Sequence, residues 1–180
     1  MKKIHIAIIF LGLIGISCGF SVTQKPEKKV KLKPYSGRSI VFYNVENLFD
    51  TIDQPNVIDE DFLPNGKLKW NSERYNVKLN HIVEAVTMNL KENPVLIGFV
   101  EVENGKVVMD VAKTGRLAST NYQLAHKESP DARGIDCALL YDAACFKPLV
   151  IANLPVQIDS LPDFKTRDVL YVKGEMYGKK

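Results

Sequence analysis

The chain has 180 residues, 46% of them hydrophobic and 25% charged, the composition of an ordinary globular protein of about one domain. A formal net charge of +3 is too small and too dispersed to argue for nucleic acid on electrostatic grounds alone. Charge therefore selects no partner.

The N-terminus carries a targeting pattern. Lys2 and Lys3 precede an uncharged apolar run from Ile4 to Ile16, in the order of a secretory signal. This run is shorter than the roughly 20 residues that a membrane-spanning helix needs. The following "GISC", Gly15 to Cys18, places small residues before a cysteine as at a bacterial lipoprotein cleavage site, with Gly15 where that pattern usually has Leu. On this reading residues 1–18 are the signal and Cys18 is lipidated, holding an exported domain at a membrane surface. An ordinary signal peptide cut a few residues later is the plainer alternative. Ser21 to Pro34, with five lysines and two prolines, reads as a solvated tether within residues 19–37, and the domain starts at 38.

"SIVFYN" (Ser39 to Asn44) is short, β-branched and aromatic, as a core strand is. A polar, acidic loop follows from Asp50 to Gly66. From Asn71, Leu79, Ile82, Val83, Val86 and Leu90 recur at helical spacing, with Asn71 or Ser72 as the cap and Asn93-Pro94 as the stop. Pro94 opens "PVLIGFVEVEN", the most apolar strand of the domain. A weaker helical pattern, Val107, Val108, Val111 and Leu117, comes next. Four short strands follow: "YQLAHK", "IDCALLYD", "FKPLVIAN" and "VLYVKGEMY". Strand, helix, strand, helix and then strands predict a layered α/β fold with the first two strands central, as neighbours or near-neighbours, and the later ones in hairpins. If "IDCALLYD" and "CFKPLVIAN" form one hairpin, Cys145 faces Tyr141. Cys137 then lies roughly 14 Å up the ladder, too far for a disulfide, and both cysteines read as small buried apolar residues.

The two central strands each end in polar groups. Asn44, Glu46 and Asn47 end the first; Glu101, Glu103 and Asn104 end the second. Strict alternation puts Glu101 and Glu103 on one face and Val102 on the other. Ligands collect at strand ends in such sheets, and a half-desolvated carboxylate there suits a hard cation, Mg²⁺ or Mn²⁺. A lone Glu at a strand end is otherwise a solvated charge, and Asn44 a turn former. His126, at the end of its strand, reads as a satisfied strand-end residue, and His81 flanks the apolar stripe of its helix.

The segments "FYNVENLFD", "IGFVEVEN" and "SPDARGIDCALLYD", with "DEDFLPNGKLKW" and "RYNVKLNHI" between them and "TRDVLYVKG" near the end, resemble the N-terminal half of the endonuclease/exonuclease/phosphatase family, in particular its exported bacterial members. The resemblance spans residues 39–175. It implies a four-layered α/β/β/α sandwich and a metal-dependent phosphoesterase using Mg²⁺ or Mn²⁺. By position, Asn44 and Glu101 would hold the metal, and Arg133 would contact phosphate through its planar fork of donors. A surface salt bridge is the alternative role for Arg133.

Other parts of the family pattern have no counterpart here: a histidine on an "NxH" strand, an Asp-x-Asn pair in a "GDFN"-like segment and an Asp-His pair. The three histidines, His5, His81 and His126, stand elsewhere. The resemblance thus implies a domain truncated before its catalytic His and Asp, and inactive alone. The expected substrate is a phosphodiester, nucleic acid among the candidates. A non-catalytic surface binding module and a lipid or inositol phosphate phosphatase are the competing readings, and no protein partner is expected.

Overall fold

The computed structural model describes residues 37–176. The expected signal peptide, the Cys18 expected to be lipidated and nearly all of the expected tether lie outside the described residues. Six strands and two helices follow in the order β1 (Ile40–Leu48), α1 (Ser72–Thr87), β2 (Leu96–Val102), α2 (Gly105–Ala112), β3 (Tyr122–His126), β4 (Asp136–Asp142), β5 (Phe146–Leu154) and β6 (Val169–Met176). Single 3-10 turns occupy Glu60–Phe62 and Gly115–Ser119.

Asn71 caps α1, its side chain accepting the Arg74 N–H, and Asn104 caps α2 by accepting from Lys106 N and Val107 N. The stripe Leu79, Ile82, Val83 and Val86 is buried as its spacing requires. Leu90 is not part of it. The helix ends at Thr87, and Asn89 turns into the left-handed region at φ 58°, a conformation that asparagine tolerates just past a helix end.

β1 and β2 pair in parallel, Ile40 with Leu96 through Asn44 with Val100, and β4 pairs antiparallel with both β2 and β3. The sheet order is β1-β2-β4-β3. β1 is therefore a neighbour of β2, as expected, but an outer strand rather than a central one. β5 and β6 form a separate antiparallel pair. The expected β4–β5 hairpin is thus a corner between two sheets: the Cys145 N–H donates to the Asp142 carbonyl, and β5 leaves to pair with β6. No disulfide joins Cys137 and Cys145, and Cys137 is half-buried instead of buried.

Side-chain alternation sorts the core into two layers. One face of the four-stranded sheet, with Ile97, Phe99, Val102, Ala138 and Leu140, packs under α1 and α2. Leu140 is fully buried there, and cutting it to Ala would cost about 2–5 kcal/mol. The other face, with Leu96, Ala125 and Leu139, packs against Phe146, Leu170 and Val172 of the small sheet. Three layers result: helices, sheet and sheet. The fourth layer of the expected sandwich is not seen among the described residues. Gly98 lets the Phe42 ring lie over β2, since a Cβ there would meet that ring at 2.5 Å.

Candidate functional site

Both paired strands break their register at the same end of the sheet. On β1 the ladder jumps from Asn44–Val100 to Leu48–Val102, leaving two extra residues on β1, with Glu46 and Asn47 at positive φ (53° and 61°). On β2 the partner of β4 jumps from Val100–Cys137 to Val102–Asp136, so that Glu101 is an extra residue, at φ 67°. This is a β-bulge, and its effect is to reverse the expected alternation. Val102 takes the place in the helix-side core that strict alternation assigns to Glu101. Glu101 and Glu103 therefore do not share surroundings.

Glu101 faces the segment leading into β6. Its Oε1 lies 3.4 Å from Arg167 Nη1, with the two side chains 17% and 20% exposed. Asn44, paired with Val100, shares by alternation the face of Ile40 and Phe42, which is the face of Leu96. Register and face thus bring Asn44 to the rim where Glu101 sits. Asn44 Oδ1 already accepts the Glu46 N–H at 2.8 Å, the local turn of an Asx residue. That same oxygen keeps a second lone pair. Lys78 of α1 donates to the Glu46 and Asn47 carbonyls at 2.6 and 2.9 Å, latching the β1 bulge in place. Burial lowers the Lys78 pKa, opposed by the nearby Glu46 and Glu101 charges.

The hydrogen-bonded Asp131 carboxylate favours the ionised form of Arg133, and the nearby Glu101 charge adds to it. The Arg133 fork is occupied: Nε and Nη2 donate to the two oxygens of Asp131 at 3.0 and 2.9 Å. Burial alone would raise the Asp131 pKa, and the Arg133 guanidinium outweighs it and holds that carboxyl below its usual range. Sequence reading missed Arg167. It is separated from Glu101 along the chain, and only the stacking of the second sheet brings the two together. Its Nη1 is buried and lacks a well-aligned hydrogen bond despite the nearby carboxylate.

Glu103 lies on the inner side of the rim, 1% exposed. Its Oε2 accepts the Asp50 N–H at 2.6 Å. Burial, reinforced by the Asp50 and Asp59 charges, pushes the Glu103 pKa up to about 7. Lys106 bridges Asp50 and Asp110 at 3.2 Å each, and Tyr75 donates to Asp110 at 2.9 Å. This network closes the acidic loop onto the two helices. A polar hollow at the far end of the sheet is lined by Lys91, Asn93, Arg116 and Asp142. The Arg116 guanidinium there donates to the Leu90 and Lys91 carbonyls and to Asn93, so it ties loops together away from Glu101.

A half-desolvated carboxylate, an amide oxygen at the same end of the sheet and two guanidinium groups and an ammonium within electrostatic reach of the carboxylate are the groups that suit a hard cation and phosphoryl oxygens. Comparison with curated proteins gave no match, and neither did comparison with solved structures. Residues 39–180 match the Endonuclease/Exonuclease/phosphatase family. Together with the strand-end arrangement, that match over most of the chain identifies it as a member of this family of phosphoesterase- and nuclease-type hydrolases.

Proposed function

We propose that this domain is the metal- and phosphate-holding part of a divalent-metal-dependent phosphoester hydrolase whose substrate is a phosphodiester, nucleic acid included. The observation that carries this reading is the bulge at Glu101, which turns a carboxylate out of the core and toward Arg167 at the end of the central strand. The same reversal seats Val102 in the helix-side core and leaves the Glu101 carboxylate at the strand end as an oxygen donor. Glu101 and Asn44 offer oxygen donors only, the ligand chemistry of Mg²⁺ or Mn²⁺. When bound, such an ion would polarise the phosphoryl group and offset charge developing on the leaving oxygen.

The protein's own groups have separable tasks. Arg167 balances Glu101 and can pair with a phosphoryl oxygen in its place. Arg133, held by Asp131, presents its remaining donors outward. Lys78 fixes the carbonyls of the β1 bulge and so the position of Asn44. We assign no residue of this rim to the activation of water. The export signal and lipidated Cys18 belong to the same reading and would place the hydrolase at a membrane surface.

The test separates binding from turnover. Manganese titrated into the chain, followed by electron paramagnetic resonance, should show an ion whose affinity falls at least about tenfold in Glu101→Gln, and hydrolysis of a generic phosphodiester should fall about 10²-fold or more wherever it is measurable. Unchanged manganese affinity and unchanged turnover would remove Glu101 from the mechanism.

A further inference from the structure

On the helix-facing side of the sheet, three ligand-type side chains converge away from Glu101. His126 ends β3, Asp136 opens β4, and Glu128 lies in the loop between them. Each offers a ligand atom, and these atoms all lie within 4.8 Å of one another. Asp136 is buried, and its Oδ1 accepts from both the backbone N–H and the hydroxyl of Ser129. Its Oδ2 lies 3.1 Å from His126 Nε2. The other ring nitrogen, Nδ1, is 3.8 Å from Glu128 Oε1, beyond hydrogen-bonding distance. His126 therefore has a carboxylate toward each nitrogen, whereas a neutral imidazole has one N–H to give. A charge of +1 on the ring would still leave this group with two carboxylates for one cation.

We propose that His126, Glu128 and Asp136 bind a second divalent ion, Mn²⁺ or Zn²⁺, at the base of the loop that carries Asp131 and Arg133. The geometry suits it. With metal–ligand bonds of about 2.1 Å, two atoms 3.1 Å apart subtend roughly 95° at an ion, so Nε2 and Oδ2 can be adjacent ligands. The ion takes the place of the proton they share, and Nδ1 then carries the ring's N–H. Ser129 fixes Asp136 from behind, as outer groups orient metal-bound carboxylates. Glu128, 69% exposed, closes the set by a small side-chain rotation. One imidazole with two carboxylates favours a borderline metal over Mg²⁺, which prefers oxygen and retained water.

This site is independent of the proposed Glu101 site, because alternation places His126 and Asp136 with Leu124, Ala138 and Leu140 under the helices while the bulge turns Glu101 the other way. Its role is structural: an ion there staples β3 to β4 and fixes the loop that presents Arg133.

The test uses the untagged full chain carrying Glu101→Gln, stripped with chelator, so that the Glu101 site is weakened at least about tenfold and this site binds first. Calorimetric titration with Zn²⁺ or Mn²⁺ should give one ion per chain, and pulsed paramagnetic resonance of the Mn²⁺ form should show coupling to an imidazole nitrogen. Adding Glu128→Gln, an exposed change that leaves the fold unchanged by circular dichroism, should weaken binding at least about tenfold. The proposal fails if the Glu101→Gln chain binds neither ion, if the bound Mn²⁺ shows no nitrogen coupling, or if Glu128→Gln leaves the affinity as it was.

Discussion

Glu101 and Glu103 stand two residues apart on the same strand end and live in opposite electrostatic worlds. Glu101, on the bulge, faces Arg167 with Lys78 and Arg133 nearby and keeps some solvent contact. Glu103, past the bulge, is sealed among Asp50 and Asp59 and holds its proton to about pH 7. Both are carboxylates at the rim of a sheet, so position alone does not separate a proposed ligand from a structural acid. What surrounds each one does, and a single extra residue in β2 determines those surroundings.

This contrast can be broken or sharpened by experiment. The largest effect expected is on stability. The folded-state pKa of Glu103 lies above its unfolded value, so its neutral form supports folding fully below about pH 4.5, and that support is lost as pH rises through about 7. The loss amounts to about 3 kcal/mol, measured as falling urea midpoints between pH 5 and 8, and Glu103→Gln should flatten that slope. The reciprocal change, Glu101→Gln, should leave the pH slope intact while costing about 10²-fold in turnover, or about 2.7 kcal/mol of barrier. Exchanging the two phenotypes would overturn the assignment.

Arg167 and Arg133 extend the comparison to the cations. Replacing Arg167 with Ala should raise the KM for a phosphodiester about tenfold, and Arg133→Ala by less, since the Arg133 fork is already engaged by Asp131. Equal effects would show that the Asp131 pairing opens during binding. The smallest effect lies beyond the rim: Asn104→Ala removes the cap of α2 and should lower stability by about 1 kcal/mol in chemical denaturation, without altering metal affinity.

Much of this architecture was legible in the residues. The stripe from Leu79 to Val86, the apolar run into Glu101 and the motif order gave the helix, the proximity of the first two strands and the family. Local pattern could not give the rest. Nothing in "FVEVEN" marks Glu101 as a left-handed residue, because a bulge depends on the partner strand's register. A hairpin and a corner between sheets begin with the same turn residues, so "YDAAC" read as one and proved the other. Asn89 ended α1 early although Leu90 continued its periodicity. His126 read correctly as a partnered strand-end residue, yet its partner, Asp136, is set by the β3–β4 register. Arg167 reaches Glu101 through packing between sheets, which no short-range spacing records.

The parallel pairing of Ile40 with Leu96 also bears on how the molecule assembles. β3 and β4 pair across residues 127–135 and β5 and β6 across residues 155–168, whereas β1 and β2 pair only after the whole α1 crossover between residues 48 and 96 has been ordered. The rim should therefore mature late in folding, and amides of β1 should gain protection in pulse-labelled hydrogen exchange after those of β4. An ion that grips both strands would then act as a brake on unfolding, holding together the contact that is slowest to form.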